Sequence, residues 1–136
     1  MKMASTDRIF VDTNVLVYLI SEDERKSMIA ADIFKTAPII SVQVLNEFIT
    51  VARRKHKKPW DEVLAVTATA AAECTVVALS LQIHERAVEL AQRAQIGIYD
   101  ACIIAAAELS DCNVLYTEDL NHGQRIGSVT VHNPFL

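Results

Sequence analysis

"RIFVDTNVLVYLI", residues Arg8 to Ile20, sets an Asp, a Thr and an Asn inside an otherwise apolar run. "RIFV" reads as a short buried strand, and "TNVLVYLI" continues as a helix that Asp12 or Thr13 can cap. A buried carboxylate is costly unless something pairs with it, so Asp12 is either badly placed or placed for a purpose.

The same alternation continues outward from this stretch. "DERKSMIAADIFKT" reads as a helix, and "IIS" after Pro38 as a strand. From Ser41 a further helix is predicted: Val42, Leu45, Phe48, Ile49 and Ala52 share one face, and Gln43, Asn46, Glu47 and Thr50 another. "PWDEVLAVTATAAAE" is helical, "CTVVALS" strand-like, and "LQIHERAVELAQRAQ" helical up to Gly97. "YDACIIAAAELS" is apolar nearly all round and reads as a buried helix with Asp100 in its first turn. "NVLYT" is a strand, "EDLNHGQRIG" a polar loop and "SVTVHN" a last strand. Strands separated by helices imply an α/β fold with a mostly parallel sheet covered on both faces.

A length of 136 residues, with 51 % hydrophobic and 22 % charged content, suits one domain spanning 1–136. Cys74, Cys102 and Cys112 are odd in number and lack zinc-site spacing, which favours reduced, buried thiols. The start lacks the apolar stretch of a signal peptide, and the most apolar later segment holds Glu73 and fails as a membrane span. The expectation is a cytoplasmic protein that makes no use of a membrane. A net charge of −4 argues against a simple nucleic-acid binder, yet "RRKHKK", residues 53–58, concentrates five of the thirteen Lys and Arg residues. Within it Arg53, Arg54, Lys57 and Lys58 are candidate RNA contacts, weighed against a solvated helix end.

In a parallel α/β sheet, strand carboxyl ends and helix amino ends share one edge. Asp12 ends the first strand, Glu47 lies early in the helix after the second, Asp100 opens a helix and Asp119 follows "NVLYT". Four carboxylates at one edge repel one another, at about 4 kcal/mol per pair ~4 Å apart at an effective dielectric near 20, and need a counter-charge. An all-oxygen donor set favours Mg²⁺ or Mn²⁺ over zinc, and such a site suits phosphodiester hydrolysis. Taken singly, Asp12 and Asp100 could be helix-cap or dipole residues and Glu47 a solvated one; their convergence outweighs those readings.

At "VDTNVLVYL", "VLNEF", "YDACIIAAA", "YTEDLNHGQ" and "VTVHNPF", in that order, the sequence resembles the PIN-domain family of metal-dependent ribonucleases, and within it the VapC-type toxins of toxin–antitoxin pairs. The resemblance covers nearly the whole chain. It implies a PIN-like three-layer α/β/α sandwich and an endoribonuclease whose metal site is Asp12, Glu47, Asp100 and Asp119. It further implies that Thr13, Asn14 and Thr117 orient those acids or the attacking water, that the protein forms a homodimer, and that an antitoxin covers the acidic groove. Glu118 stands beside Asp119 as a further candidate ligand, although the Thr-x-acid spacing from Thr117 favours Asp119. The four histidines, His56, His84, His122 and His132, are scattered and receive no catalytic role.

Rival readings fare worse. A haloacid-dehalogenase-type phosphatase needs a second Asp where Asn14 stands, and a phospho-acceptor receiver needs a Lys that "YTED" lacks. A PIN ribonuclease of RNA processing or decay, without an antitoxin, stays within the same fold.

Overall fold

The computed structural model describes residues 6–136; the first residues of the segment read for a leader lie outside the described residues. The chain alternates as the sequence implies: β1 (Ile9–Val11), α1 (Thr13–Val17), α2 (Glu24–Phe34), β2 (Ile39–Ser41), α3 (Val42–Arg54), α4 (Trp60–Glu73), β3 (Thr75–Val77), α5 (Leu81–Ala94), α6 (Ile98–Leu109), β4 (Val114–Tyr116), β5 (Arg125–Ile126) and β6 (Val129–His132). The strands form one sheet in the order β3-β2-β1-β4-β6-β5. All neighbours pair in parallel except β5, which runs antiparallel to β6. This is an α/β/α arrangement with β1 and β4 at the centre of the sheet.

The short strands are held by burial rather than by length. Phe10, Val11, Ile40 and Leu115 have no exposed surface, and burying each such side chain contributes roughly 1.5–3 kcal/mol. Helix α6 carries Ala101, Ile103, Ile104 and the run Ala105–Ala107 into the core, as its all-round apolar pattern requires. Its alanines leave room for α5 on one side and β2, β4 and β6 on the other. Side-chain caps start several helices: Asp23 Oδ1 accepts from Lys26 N (3.0 Å), Ser41 Oγ from Val44 N (3.4 Å) and Ser80 Oγ from Ile83 N (3.1 Å).

The expected helix "TNVLVYLI" is split. It is α-helical only to Val17 and then tightens into a 3-10 turn, Tyr18–Ile20, closed by Ser21 N donating to Tyr18 O (3.2 Å). The polar loop expected over "EDLNHGQRIG" contains β5. Ile126 and Val129 face each other across Gly127–Ser128, a two-residue hairpin with Gly127 at φ +59°. "RI-GS-VT" is the sequence signal for that hairpin, which periodicity cannot show in so short a strand. All three cysteines are free thiols; Cys112 is buried, and Cys74 and Cys102 are half-buried.

Candidate active site

The strand register brings distant polar residues together. Val11 pairs with Tyr116, so the residues following β1 and β4, Asp12 and Thr117, emerge side by side. Asp12 N donates to Tyr116 O (3.0 Å), which extends the ladder by one bond before the chain turns into α1.

Asp12 is buried and caps α1, its Oδ1 accepting from Thr13 N at 2.6 Å. Its Oδ2 accepts from Thr117 Oγ1 at 3.0 Å. The same Thr117 hydroxyl accepts from Asn14 Nδ2 (2.9 Å) and from Asp119 N (3.1 Å). Asn14 Nδ2 also donates to Asp119 Oδ2 (3.1 Å), and Asn14 Oδ1 accepts from Glu118 N (3.3 Å). Asn14 and Thr117 thus clamp the loop after β4 onto the start of α1, with Asp12 and Asp119 held in one polar network.

Glu47 joins from α3. Gln43, one turn earlier and buried, donates from Nε2 to Glu47 Oε1 (2.6 Å) and to Tyr99 O (3.1 Å). Tyr99 lies in the first turn of α6 beside Asp100, so one amide ties together the two helices that carry Glu47 and Asp100. Gln43 reads in sequence as part of a solvated polar stripe. No local pattern distinguishes it from Asn46 or Thr50; only the packing of α3 against α6 does.

The electrostatics join the four acids into one group. Burial pushes the Asp12 carboxyl up to about 7, against the lowering effect of its hydrogen bonds from Thr13 and Thr117, and the charges of Asp119 and Glu47 raise it further. Burial and then the charge of Asp119 raise Asp100 as well. Burial and then the charge of Glu47 raise the Cys102 thiol. Two other expected residues behave differently. Thr13 donates its backbone N–H to the Asp12 cap, and its buried hydroxyl has no hydrogen-bond partner. Glu118 is engaged elsewhere: Tyr18 Oη donates to its Oε1, and Lys26 Nζ lies 3.1 Å from its Oε2. Glu118 lines the same groove as Glu47 and Asp119, with its carboxylate partnered by Tyr18 and Lys26.

This groove, of about 480 Å³, opens beside two of the four acids, lined by Asn14, Glu47 and Asp119 together with Val51 of α3 and with Lys55 and His56 just past its end. Among the described residues, no three His, Cys, Asp or Glu side chains stand close enough to hold an ion as they are placed. The donor chemistry nevertheless fits a hard divalent cation: the oxygens are carboxylates, the charges of Asp119 and Glu47 bear on buried Asp12, and Thr13, whose hydroxyl is unpartnered, lines the same groove.

The candidate RNA contacts of the basic run divide. Arg53 donates to Lys58 O (3.0 Å) and stacks over the half-exposed Trp60 ring, 4.8 Å from its centroid. Lys58 Nζ lies 3.9 Å from Glu62. Arg54 and Lys57 are exposed, and none of these four lines the groove.

Residues 9–125 match the family model for the PIN domain. The chain belongs to the PIN domain family. Solved PIN-fold structures agree. A sarcin–ricin loop cleaving toxin, VapC20 of Mycobacterium tuberculosis, superposes with a TM-score of 0.71 at 21 % identity, covering 90 % of this chain and 98 % of that one. A toxin–antitoxin complex from Klebsiella pneumoniae gives 0.68 at 25 % identity, covering 94 % and 98 %. DNA-bound VapBC from Salmonella typhimurium gives 0.67 at 22 %, covering 95 % and 99 %. No curated protein sequence matches the chain significantly. In this PIN domain Asp12, Glu47, Asp100 and Asp119 come from β1, α3, α6 and the loop after β4, at the edge where a parallel sheet collects function.

Proposed function

We propose that this PIN domain is a Mg²⁺- or Mn²⁺-dependent endoribonuclease and the toxin of a VapBC-type toxin–antitoxin pair. The observation that carries the reading is the set of acids at the carboxyl edge of the sheet, with Asp12 and Asp119 held by the Asn14–Thr117 clamp and Asp119 and Glu47 lining a groove. Asp12, Glu47, Asp100 and Asp119 are the proposed metal ligands. A bound divalent cation would supply a more acidic water and stabilise the charge that develops on the phosphoryl group in an in-line displacement.

The chain's own residues do the positioning. Thr117 and Asn14 fix the Asp12 and Asp119 carboxylates, and Gln43 fixes Glu47. Asp100 sits in the first turn of α6, where the helix dipole favours its ionised form against burial and the neighbouring acid. Thr13 adds a neutral oxygen with no other partner.

The partner assignment draws on the VapBC complexes among the similar structures and on an apolar groove of about 380 Å³ lined by Leu16, Leu19, Phe34 and Val66, from α1, the 3-10 turn, α2 and α4. An antitoxin segment with an apolar face would bury this groove. Leu81, Ile98, Tyr99 and Leu109 are exposed apolar residues on α5 and α6, the elements offered for a second copy in the proposed homodimer. Among the described residues no helix is long and apolar enough to cross a membrane.

The test is cleavage of RNA by the purified protein with Mn²⁺ or Mg²⁺, with and without a chelator. Asp12→Asn and Asp100→Asn, which keep side-chain shape, should abolish it while the fold persists. Full activity in either variant would sink the assignment.

A further inference from the structure

The groove over the acids does not end at them. Helix α3 forms one of its walls, and Glu47, Val51 and Lys55 fall four residues apart along it. The helical path continues to Lys55, whose N donates to Val51 O at 2.9 Å, and His56 N bonds the same carbonyl at 3.3 Å. Eight residues at a rise of ~1.5 Å each place Lys55 about 12 Å from Glu47 along the wall.

Beyond this point the chain turns off the wall. Lys57 adopts φ +55°, and Lys58 N returns to Ala52 O (3.0 Å). Arg53 and Lys58 are then used to hold the α3–α4 turn, through Trp60 and Glu62. Lys26, near the opposite wall, is engaged by Glu118 and Tyr18. Asp23, which also lines the groove, has its Oδ1 engaged as the α2 cap. Among the described residues, Lys55 is the one Lys or Arg that lines the groove, and no ion pair there involves it.

We propose that Lys55, with His56 beside it, forms a phosphate subsite at the far end of the groove that holds the backbone of single-stranded RNA away from the scissile bond. The inference rests on the ribonuclease reading above and gives its substrate a direction along α3. A flexible ammonium suits this task, since it meets a phosphate as a point charge and reads no base. It also explains how an acidic protein holds RNA: the cation stands about two helical turns from the repelling acids. A bland alternative is that Lys55, as the C-cap of α3, only meets the negative end of the helix dipole.

Salt dependence separates the two. The affinity for a labelled mixed-sequence single-stranded RNA would be measured against salt in Mg²⁺ buffer, with every protein carrying Asp12→Asn to block cleavage. Adding Lys55→Gln should make the slope of log affinity against log salt shallower by about 0.7, the loss of one single-strand phosphate contact. Lys55→Arg should restore the slope. Arg54→Gln, which removes the same charge one residue away but off the groove, should leave it unchanged.

Equal slopes in the Lys55→Gln protein and its parent would overturn the subsite and leave the ribonuclease reading intact. So would equal flattening by Lys55→Gln and Arg54→Gln, which would indicate a general field. A parent that binds no RNA would overturn both. Melting curves of all variants guard against unfolding as the cause.

Discussion

Asp12 illustrates what one residue carries in this site. Its carboxyl is raised to about 7 chiefly by burial, so in the metal-free protein the native state retains a proton that the unfolded chain has released. Between the ordinary carboxylate range and pH 7 the native state therefore binds more protons than the unfolded one, and stability falls as pH rises across that window. Asp12→Asn has no such dependence. In chelator its melting temperature should exceed that of wild type at pH 8, and the difference should shrink toward pH 5. A constant difference across that range would show that burial of the charge is not its cause. Gln43 makes the complementary case at the same scale. Gln43→Met keeps the length of the side chain but removes both donations, leaving Tyr99 O and Glu47 without that partner. The expected cost is about 1–3 kcal/mol of stability, and a larger effect on turnover, about 10²-fold, because Glu47 loses its orientation. Steady-state kinetics alongside thermal melts would separate the two.

At the scale of elements, the β5–β6 hairpin is tied to the helical layer by Glu108. That carboxylate accepts from Arg86 Nε (2.7 Å) and Nη2 (3.2 Å) on α5, and from Ser128 N (2.9 Å). Burial alone would raise its carboxyl, but the Arg86 and Ser128 contacts outweigh burial and lower it. The contribution of this tie is therefore present above the ordinary Glu range and is lost as pH falls through the lowered value. Gly127 is the geometric condition for the tie: at φ +59° it sits where a Cβ would run into the Glu108 carboxylate. Gly127→Ala should destabilise by more than about 1 kcal/mol, through the left-handed backbone and the displaced carboxylate together. Urea unfolding would report it as a lower midpoint with an unchanged slope. An unchanged midpoint would mean that the hairpin is not coupled to the fold.

For the whole molecule, the proposed metal site would link ion binding to folding. A cation that binds only the assembled site stabilises by mass action, about 2.7 kcal/mol at a hundredfold excess over its dissociation constant. Mn²⁺ should therefore raise the melting temperature of wild type in a concentration-dependent way. The Asp12→Asn/Asp100→Asn variant should start higher and respond less. An equal response in both would place the ion elsewhere.

The alternation of short apolar runs and amphipathic stretches, with Asp12 after the first strand and Asp100 opening a buried helix, was already decided by sequence. Burial and helical periodicity are local signals, written in the spacing of residues such as Ile103, Ile104 and the alanines of α6. The parallel sheet and its acidic edge follow from that alternation, because each crossover returns the chain to the same end. Side-chain pairing is not local. That Thr117 and Asn14 form one clamp, that Glu118 turns to Lys26 and Tyr18, and that Gln43 bridges α3 and α6 depend on contacts between residues 56 to 105 positions apart. The same holds for the basic run, where composition cannot rank one cation above the next. Only the turn after α3, which sends Lys57 and Lys58 away and leaves Lys55 along the groove, distinguishes them. Tertiary structure decides such matters because a charged side chain on a helix end reaches in any direction until packing closes all but one.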